Sequence, residues 1–189
     1  MSQKHPICSQ KTMKQLAVIS AVGRDRVGFI HQISQLVADC SANISESHMT
    51  AMGSEFAMLL LVSGNWHAIA KLEADLPKLA NREDIRVEIH RTEDRGKAED
   101  LLPYAIDVIC LDQPGIVANL SSFFATREIE ISELNTATYA AAHTGTPMFS
   151  VQMVISIPSS TQIAELREEF MDFCDELNVD AIMEPHKTT

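Results

Sequence analysis

Asp25-Arg26-Val27-Gly28-Phe29-Ile30 returns 87 positions later as Asp112-Gln113-Pro114-Gly115-Ile116-Val117, and Asn43-Ile44-Ser45-Glu46 returns at the same offset as Glu130-Ile131-Ser132-Glu133. The apolar positions between them keep step: Phe29 with Ile116, Ile33 with Leu120, Leu36 with Phe123. Past Met52 the offset grows. Phe56 matches Phe149 at 93, so the second copy carries six extra residues around Ala140–Pro147. Ile69, Leu72 and Leu76 match Ile163, Leu166 and Phe170 at 94, as Ile85, Val87 and Ile89 match Val179, Ala181 and Met183. One register broken by one insertion is the mark of an internal duplication.

Each copy carries the same order of elements. In the first, the β-branched run Leu16–Val22, closed by Gly23, predicts a buried strand. Phe29, Ile30, Ile33, Leu36, Val37 and Cys40 follow at helical spacing over 28–40, with Asp25 placed to cap that helix. Residues 43–52 read as a half-exposed strand, Gly53-Ser54 as a turn, and the apolar run 55–63 as a central strand. Trp66, Ile69, Leu72 and Leu76 make one stripe of a helix over 66–79 that stops near Pro77. Residues 85–91 alternate as a last strand. The second copy gives strands at 104–111, 131–139, 148–157 and 179–184. Its helices fall at 116–127 and 161–177, the latter capped by Ser160 or Thr161. The order βαββαβ, twice, predicts an α+β chain of two ferredoxin-like two-layer units, helices on one face of each sheet. The boundaries are an arm over 1–13, domains over 14–91 and 101–185, a polar linker over 92–100 and a tail over 186–189. A unit of ~80 residues builds a marginal core alone, so side-by-side pairing of copies, and of chains into a homo-oligomer, is expected.

The 189 residues carry a formal charge of −11. Residues 96–189 hold four bases against fifteen acids and carry all of that excess; residues 14–95 stand at −2 and the arm at +2. Such a chain repels nucleic acid phosphates, so direct binding to DNA or RNA is not expected. No apolar run approaches the ~20 residues of a membrane span, and the first twelve residues lack a secretory core. A cytoplasmic protein is expected. Cys8, Cys40, Cys110 and Cys174 form no close pair, which leaves neither a disulfide framework nor a zinc motif, but three half-buried thiols and one in the arm.

A βαββαβ unit with Asp-x-Pro-Gly at its first strand-to-helix turn resembles the ACT domain, a regulatory module that binds amino acids. Asp112-Gln113-Pro114-Gly115 matches that turn; in Asp25-Arg26-Val27-Gly28 valine replaces the proline. Asn43-Ile44 fits the opening of the second strand, where the second copy departs with Glu130-Ile131. Two such units over 14–185, with Ala51-Met52-Gly53-Ser54-Glu55-Phe56 and Leu61-Val62-Ser63-Gly64-Asn65-Trp66, resemble the glycine cleavage system transcriptional repressor family. That resemblance implies a co-regulator without a DNA-binding domain, holding a LysR-type activator in check with glycine as the signal.

The residues themselves allow ligand chemistry. A strand-to-helix turn leaves amide N–H groups at a helix N-terminus, a place for an anion such as an amino-acid carboxylate. Gly28 and Gly115 let a ligand approach the backbone. Asp25 or Asp112 can face an ammonium group, and Asn43 offers donor and acceptor. In the resembling family, ligands lie where one unit's turn meets a neighbour's second strand. The candidate ligand residues are therefore Asp25, Val27, Gly28, Phe29, Asn43, Ile44 and Ser45, with Asp112, Pro114, Gly115, Ile116, Ile131 and Ser132. A second reading stays open, in which the turns are caps with tight packing and Phe29 and Ile116 are core.

No nucleophile elbow, zincin motif or phosphate loop occurs, the seven histidines form no ligand pair, and no metal, cofactor or enzymatic activity is expected. His48 shares a strand face with Glu46 and Thr50 and is a binding candidate; His31 reads as a surface residue. Glu165, Glu168, Glu169, Asp172, Asp175 and Glu176 crowd the last helix as a solvated face or a docking surface for a basic partner. The expected function is a non-catalytic regulator acting through protein contacts and sensing a small amino acid. The alternatives are the regulatory module of an amino-acid or one-carbon enzyme such as a deformylase, for whose catalytic domain no residues remain, and a ligand-free interaction module.

Overall fold

The computed structural model describes residues 14–94, 96 and 100–186. The expected arm with Cys8, residues 95 and 97–99 of the expected linker, and residues 187–189 of the expected tail lie outside the described residues. The chain divides into two compact units, Met1–Gly96 and Lys97–Thr189. The first contains β1 (Gln15–Arg24), α1 (Phe29–Asp39), β2 (Asn43–Met52), β3 (Glu55–Gly64), α2 (Trp66–Glu83) and β4 (Arg86–Thr92). The second contains β5 (Leu101–Leu111), α3 (Ile116–Ala125), β6 (Glu130–Ala140), β7 (Pro147–Pro158), α4 (Ile163–Leu177) and β8 (Asp180–Pro185). Both are α+β, with antiparallel sheets of order β2-β3-β1-β4 and β6-β7-β5-β8. The βαββαβ unit therefore occurs twice, as a ferredoxin-like fold.

Alternation along the strands decides which sheet face is covered. In the first unit Ala17, Ile19 and Ala21 of β1 and Phe56, Met58, Leu60 and Val62 of β3 are buried. They pack with Ile33 and Val37 of α1 and Ile69, Leu72 and Leu76 of α2. In the second unit Ile106 and Val108 of β5 and Val151, Met153, Ile155 and Ile157 of β7 meet Leu120 and Phe124 of α3 and Phe170 and Cys174 of α4. Each such large apolar side chain stabilises by about 1.5–3 kcal/mol, which lets a small unit hold a core. Cys40, Cys110 and Cys174 are free, and they are fully buried rather than half-buried, because each packs into a core.

The duplication extends to the backbone. The left-handed residues Gly28 and Gly115 recur at the sequence offset of 87, as do Ser41 and Glu128; Asp84 and Asn178 recur at 94. Both edge strands bulge at matching places, between Ile44 and Glu46 and between Ile131 and Glu133. Each helix is closed by one of the left-handed non-glycine positions: Asp84 and Asn178 are the C-caps of α2 and α4, and Ser41 and Glu128 follow the C-caps of α1 and α3. There the following N–H reaches back into the last turn, as Ala42 does to Val37 and Ile129 to Phe124.

Three details differ from the sequence reading. Asp25 does not cap α1: the N-cap is Gly28, three residues on, because the turn continues through Asp25–Val27 before the helical bonds begin with Gln32 N–H to Gly28 O. Pro77 does not stop α2. The helix runs to Glu83, since Leu76, Leu79 and Ala80 still bury against the sheet and outweigh the lost backbone bond. The cap of α4 is Gln162 rather than Ser160 or Thr161, and it makes no side-chain capping bond. The six extra residues sit in the β6–β7 hairpin, closed by Ala141 N–H to Thr146 O and Gly145 N–H to Ala141 O, both at 2.9 Å.

Candidate functional site

The two strand-to-helix turns are alike in geometry and bare in chemistry. Gly28 and Gly115 cap α1 and α3 at φ 93°, and neither helix start receives a side-chain bond. Asn65, by contrast, caps α2 by accepting Ala68 N–H at 2.8 Å. The turns are pinned to the neighbouring hairpin by Asp25 N–H to Ser54 O and by Asp112 N–H to Pro147 O, both 3.1 Å. Among the described residues the Asp25 and Asp112 carboxylates have no hydrogen-bond or ion-pair partner, and both are exposed. A free carboxylate beside unfilled first-turn amides suits a zwitterion, because the two ends of the ligand meet opposite partial charges.

The two turns differ in charge. Arg26 leans over the Phe29 ring, 5.9 Å from its centroid, and bonds Gln32 and the Glu83 carboxylate. The second unit has Gln113 and the exposed Pro114 there. Val27 stands fully exposed at the tip of the first turn. Phe29 and Ile116 are core residues; the Phe29 ring packs tilted at 54° against Phe56 with centroids 4.1 Å apart, so these two offer a ligand only their backbone.

The second group of expected ligand residues sits elsewhere. Asn43 pairs with Ser63 at one end of the first sheet, whereas Arg24, next to Asp25, pairs with Glu55 at the other. With a rise of ~3.3 Å per residue, the length of β2 keeps Asn43–Ser45 and Asp25–Gly28 of one unit roughly 25–30 Å apart. The same holds for Ile131–Ser132 and Asp112–Gly115. No single unit brings the two groups together. Ile44 and Ile131 turn their side chains to the cores. At the bulge the Ser45 hydroxyl donates to Ser63 Oγ at 3.0 Å; Ser132 donates to Val154 O at 3.0 Å. Asn43 Nδ2 bonds Ile44 O at 3.1 Å.

A groove that the sequence did not announce crosses the helix-free face of the first sheet. Leu16, Val18, Leu59 and Leu61 floor it, and Glu46 and His48 stand on its β2 wall. His48 Nε2 lies 3.0 Å from Glu46 Oε1, and His90 Nε2 lies 3.5 Å from Glu88 Oε2 on the opposite edge strand. Arg91 forks onto the Glu73 carboxylate at 2.8 Å, which holds Glu73 below the usual carboxylate range. In the second unit Arg127 lies 3.7 Å over the Phe123 ring and bonds Glu169, while the other α4 acids point to solvent. Among the described residues no group of three or more His, Cys, Asp or Glu side chains is placed to hold a metal, and no helix is long and apolar enough to cross a membrane.

Residues 15–90 match the ACT domain. Over 161 residues, 85% of this chain and 85% of the relative, the sequence is 29% identical to the glycine cleavage system transcriptional repressor of Escherichia coli strain K12. A UPF0237 protein of Methanopyrus kandleri is 31% identical over 86 residues, 40% of this chain and 96% of that protein. The crystal structure of a protein provisionally assigned as a glycine cleavage system transcriptional repressor matches with a TM-score of 0.71 at 27% identity, over 93% of this chain and 99% of that one.

Proposed function

We propose, starting from a chain that belongs to the ACT-domain family and carries two such units in tandem, that this protein is a non-catalytic regulator whose signal is a small amino acid, glycine first among the candidates. The observation that carries the ligand reading is the bare helix start: first-turn amides without a side-chain cap beside an unpartnered aspartate. The ligand carboxylate takes the amides after Gly28 or Gly115, and its ammonium faces Asp25 or Asp112. The first turn is the better anion site, with Arg24 and Arg26 beside it and no base in Asp112–Gly115. Asn43–Ser45 or Ile131–Ser132 completes the site only from a neighbouring chain, so ligand binding favours one assembly of chains over another. It shifts partner affinity by its differential affinity for the two assemblies.

The downstream partner in this reading is a transcription regulator of LysR type in the cytoplasm, met through protein contact, with the exposed acids of α4 facing its basic surface. The chain self-associates in the same scheme. Calorimetry with glycine, serine and alanine up to about 10 mM covers the affinity range of so small a ligand. Saturable heat for glycine, weakened at least about tenfold by Asp25→Ala with the melting temperature unchanged, supports the site. No heat and no thermal shift with any of them removes the sensing step. Capture of a LysR-type regulator, altered by glycine, tests the partner.

A further inference from the structure

The open face of the first sheet reads as a ladder of rows. The strand register places Glu46, Leu61, Val18 and His90 in one row and His48, Leu59, Ser20 and Glu88 in the next. Below them run Thr50, Ala57, Val22 and Arg86, then Met52, Glu55 and Arg24. The middle of the face is apolar, with Leu59 52% and Val22 44% exposed. In the first two rows the edges carry opposite chemistry: acid on β2 where β4 has histidine, histidine on β2 where β4 has acid.

We propose that this face is the contact between two copies of the chain, related by a two-fold axis that lies in the contact plane along the strands, midway between β3 and β1. The inference rests on the self-association in the functional reading above, but the surface it assigns is separate from the ligand site, because rows that keep their height leave Asn43–Ser45 of the second copy at the end away from Asp25–Gly28. The axis exchanges β2 with β4 and β3 with β1 and keeps every row at its own height. Glu46 then faces His90 of the second copy, His48 faces Glu88, and Glu55 faces Arg24. Leu61 meets Val18, and Ala57 meets Val22. Each contact occurs twice. Aligned sheets cross at about 30°, which at the edge strands displaces facing residues by roughly 4 Å, within reach of Glu and His side chains. An axis perpendicular to the strands also sets Glu against His, but leaves Glu55 and Arg24 outside the overlap and sets Arg86 against Thr92.

The second unit makes the pattern specific. The same operation on its open face sets Glu133 against Glu184 and Ala137 against Asp180, and the strands β5–β8 contain no lysine, arginine or histidine. Like charges meet there, so the face repels its own copy. A four-stranded face roughly 19 Å wide and 25 Å long covers on the order of 1,000 Å² for the pair. A dimer of that size is weak and concentration-dependent.

Sedimentation of the full chain from about 1 to 500 μM tests the proposal, that range matching the weak class of interface. The expected result is a monomer–dimer equilibrium that Leu59→Lys shifts at least about tenfold toward monomer at unchanged melting temperature. Glu88→Lys alone and His48→Glu alone each weaken the dimer, and the two together restore it. His48 and Glu88 lie on opposite edge strands, so that rescue arises only between copies. A monomer throughout overturns both the self-association and the face. A dimer indifferent to Leu59→Lys leaves self-association standing and overturns the face. A double variant no better than its parents overturns the axis.

Discussion

Gly28 and Gly115, 87 positions apart in the sequence, hold the same left-handed backbone, φ 93° with ψ −6° and −8°, each at the start of a helix without a side-chain cap. A Cβ would meet nothing within 4 Å at Gly28 and only Asn119 Nδ2, at 3.9 Å, at Gly115. The glycine is therefore required by backbone conformation and not by space.

Alanine at either position loses that conformation and nothing else. Gly28→Ala and Gly115→Ala should each cost about 1–2 kcal/mol in urea unfolding. Gly28→Asn should cost less, because asparagine tolerates the left-handed region. Equal losses for alanine and asparagine would show that something other than φ selects glycine here.

Gly23 presents the opposite case. It lies in β1 with an ordinary φ, but a Cβ there falls 2.6 Å from Ile85 Cγ2 and 3.6 Å from the Phe56 ring. Gly23→Ala should destabilise by about 1–3 kcal/mol through overpacking. Ile85→Ala in the same chain opens the space, so the pair should cost clearly less than the sum of the single changes in thermal unfolding.

The duplication was legible because Asp25–Ile30, Asn43–Glu46 and the apolar positions between them repeat in step, and periodicity then placed the strands and helices. What escaped depends on contacts that the local chain does not encode. Asp25 has the chemistry of a cap, but the turn runs on to Gly28 before the helical bonds begin. Pro77 is a helix breaker by itself, and the burial of Leu79 and Ala80 overrides it. Most of the open face was out of reach for the same reason. The pairing of Glu46 with Leu61, Val18 and His90 across four strands exists only once the bulge after Ile44 has reset the register. The candidate ligand residues were named as one set, and the fold puts them at two ends of each sheet, so the set needs a neighbour to become a site.

That bulge has its own anchor. Ser63 is 4% exposed, and its hydroxyl accepts from Ser45 at 3.0 Å. Ser45→Ala leaves a buried hydroxyl without that partner and should cost about 1–2 kcal/mol, whereas Ser63→Ala leaves Ser45, which solvent reaches, and should cost about half as much. The double variant should resemble Ser63→Ala, not the sum. Chemical denaturation of the four proteins decides it, and additive losses would mean that the two hydroxyls are not coupled.

Cys174 packs in the core of the second unit at 1% exposure, and burial pushes its thiol from 9.0 up to about 11. The folded state thus favours the neutral thiol. Below pH 9 both folded and unfolded chains hold the proton, and the stabilisation is fully present. Between about pH 9 and 11 the unfolded chain ionises while the folded one does not, so the unfolded state binds fewer protons and stability falls as pH rises. Across that window the loss amounts to about 2–3 kcal/mol. Cys174→Ala should flatten the fall, whatever constant penalty the smaller side chain adds. Cys40 and Cys110 are raised in the same way by burial and supply a smaller remaining slope. Consistently, maleimide at pH 8 should modify Cys174 only in denaturant, followed residue by residue with mass spectrometry, since the thiolate is the reactive form. Rapid labelling of Cys174 in the folded chain, or an unchanged alkaline slope in Cys174→Ala, would contradict a neutral thiol in that core.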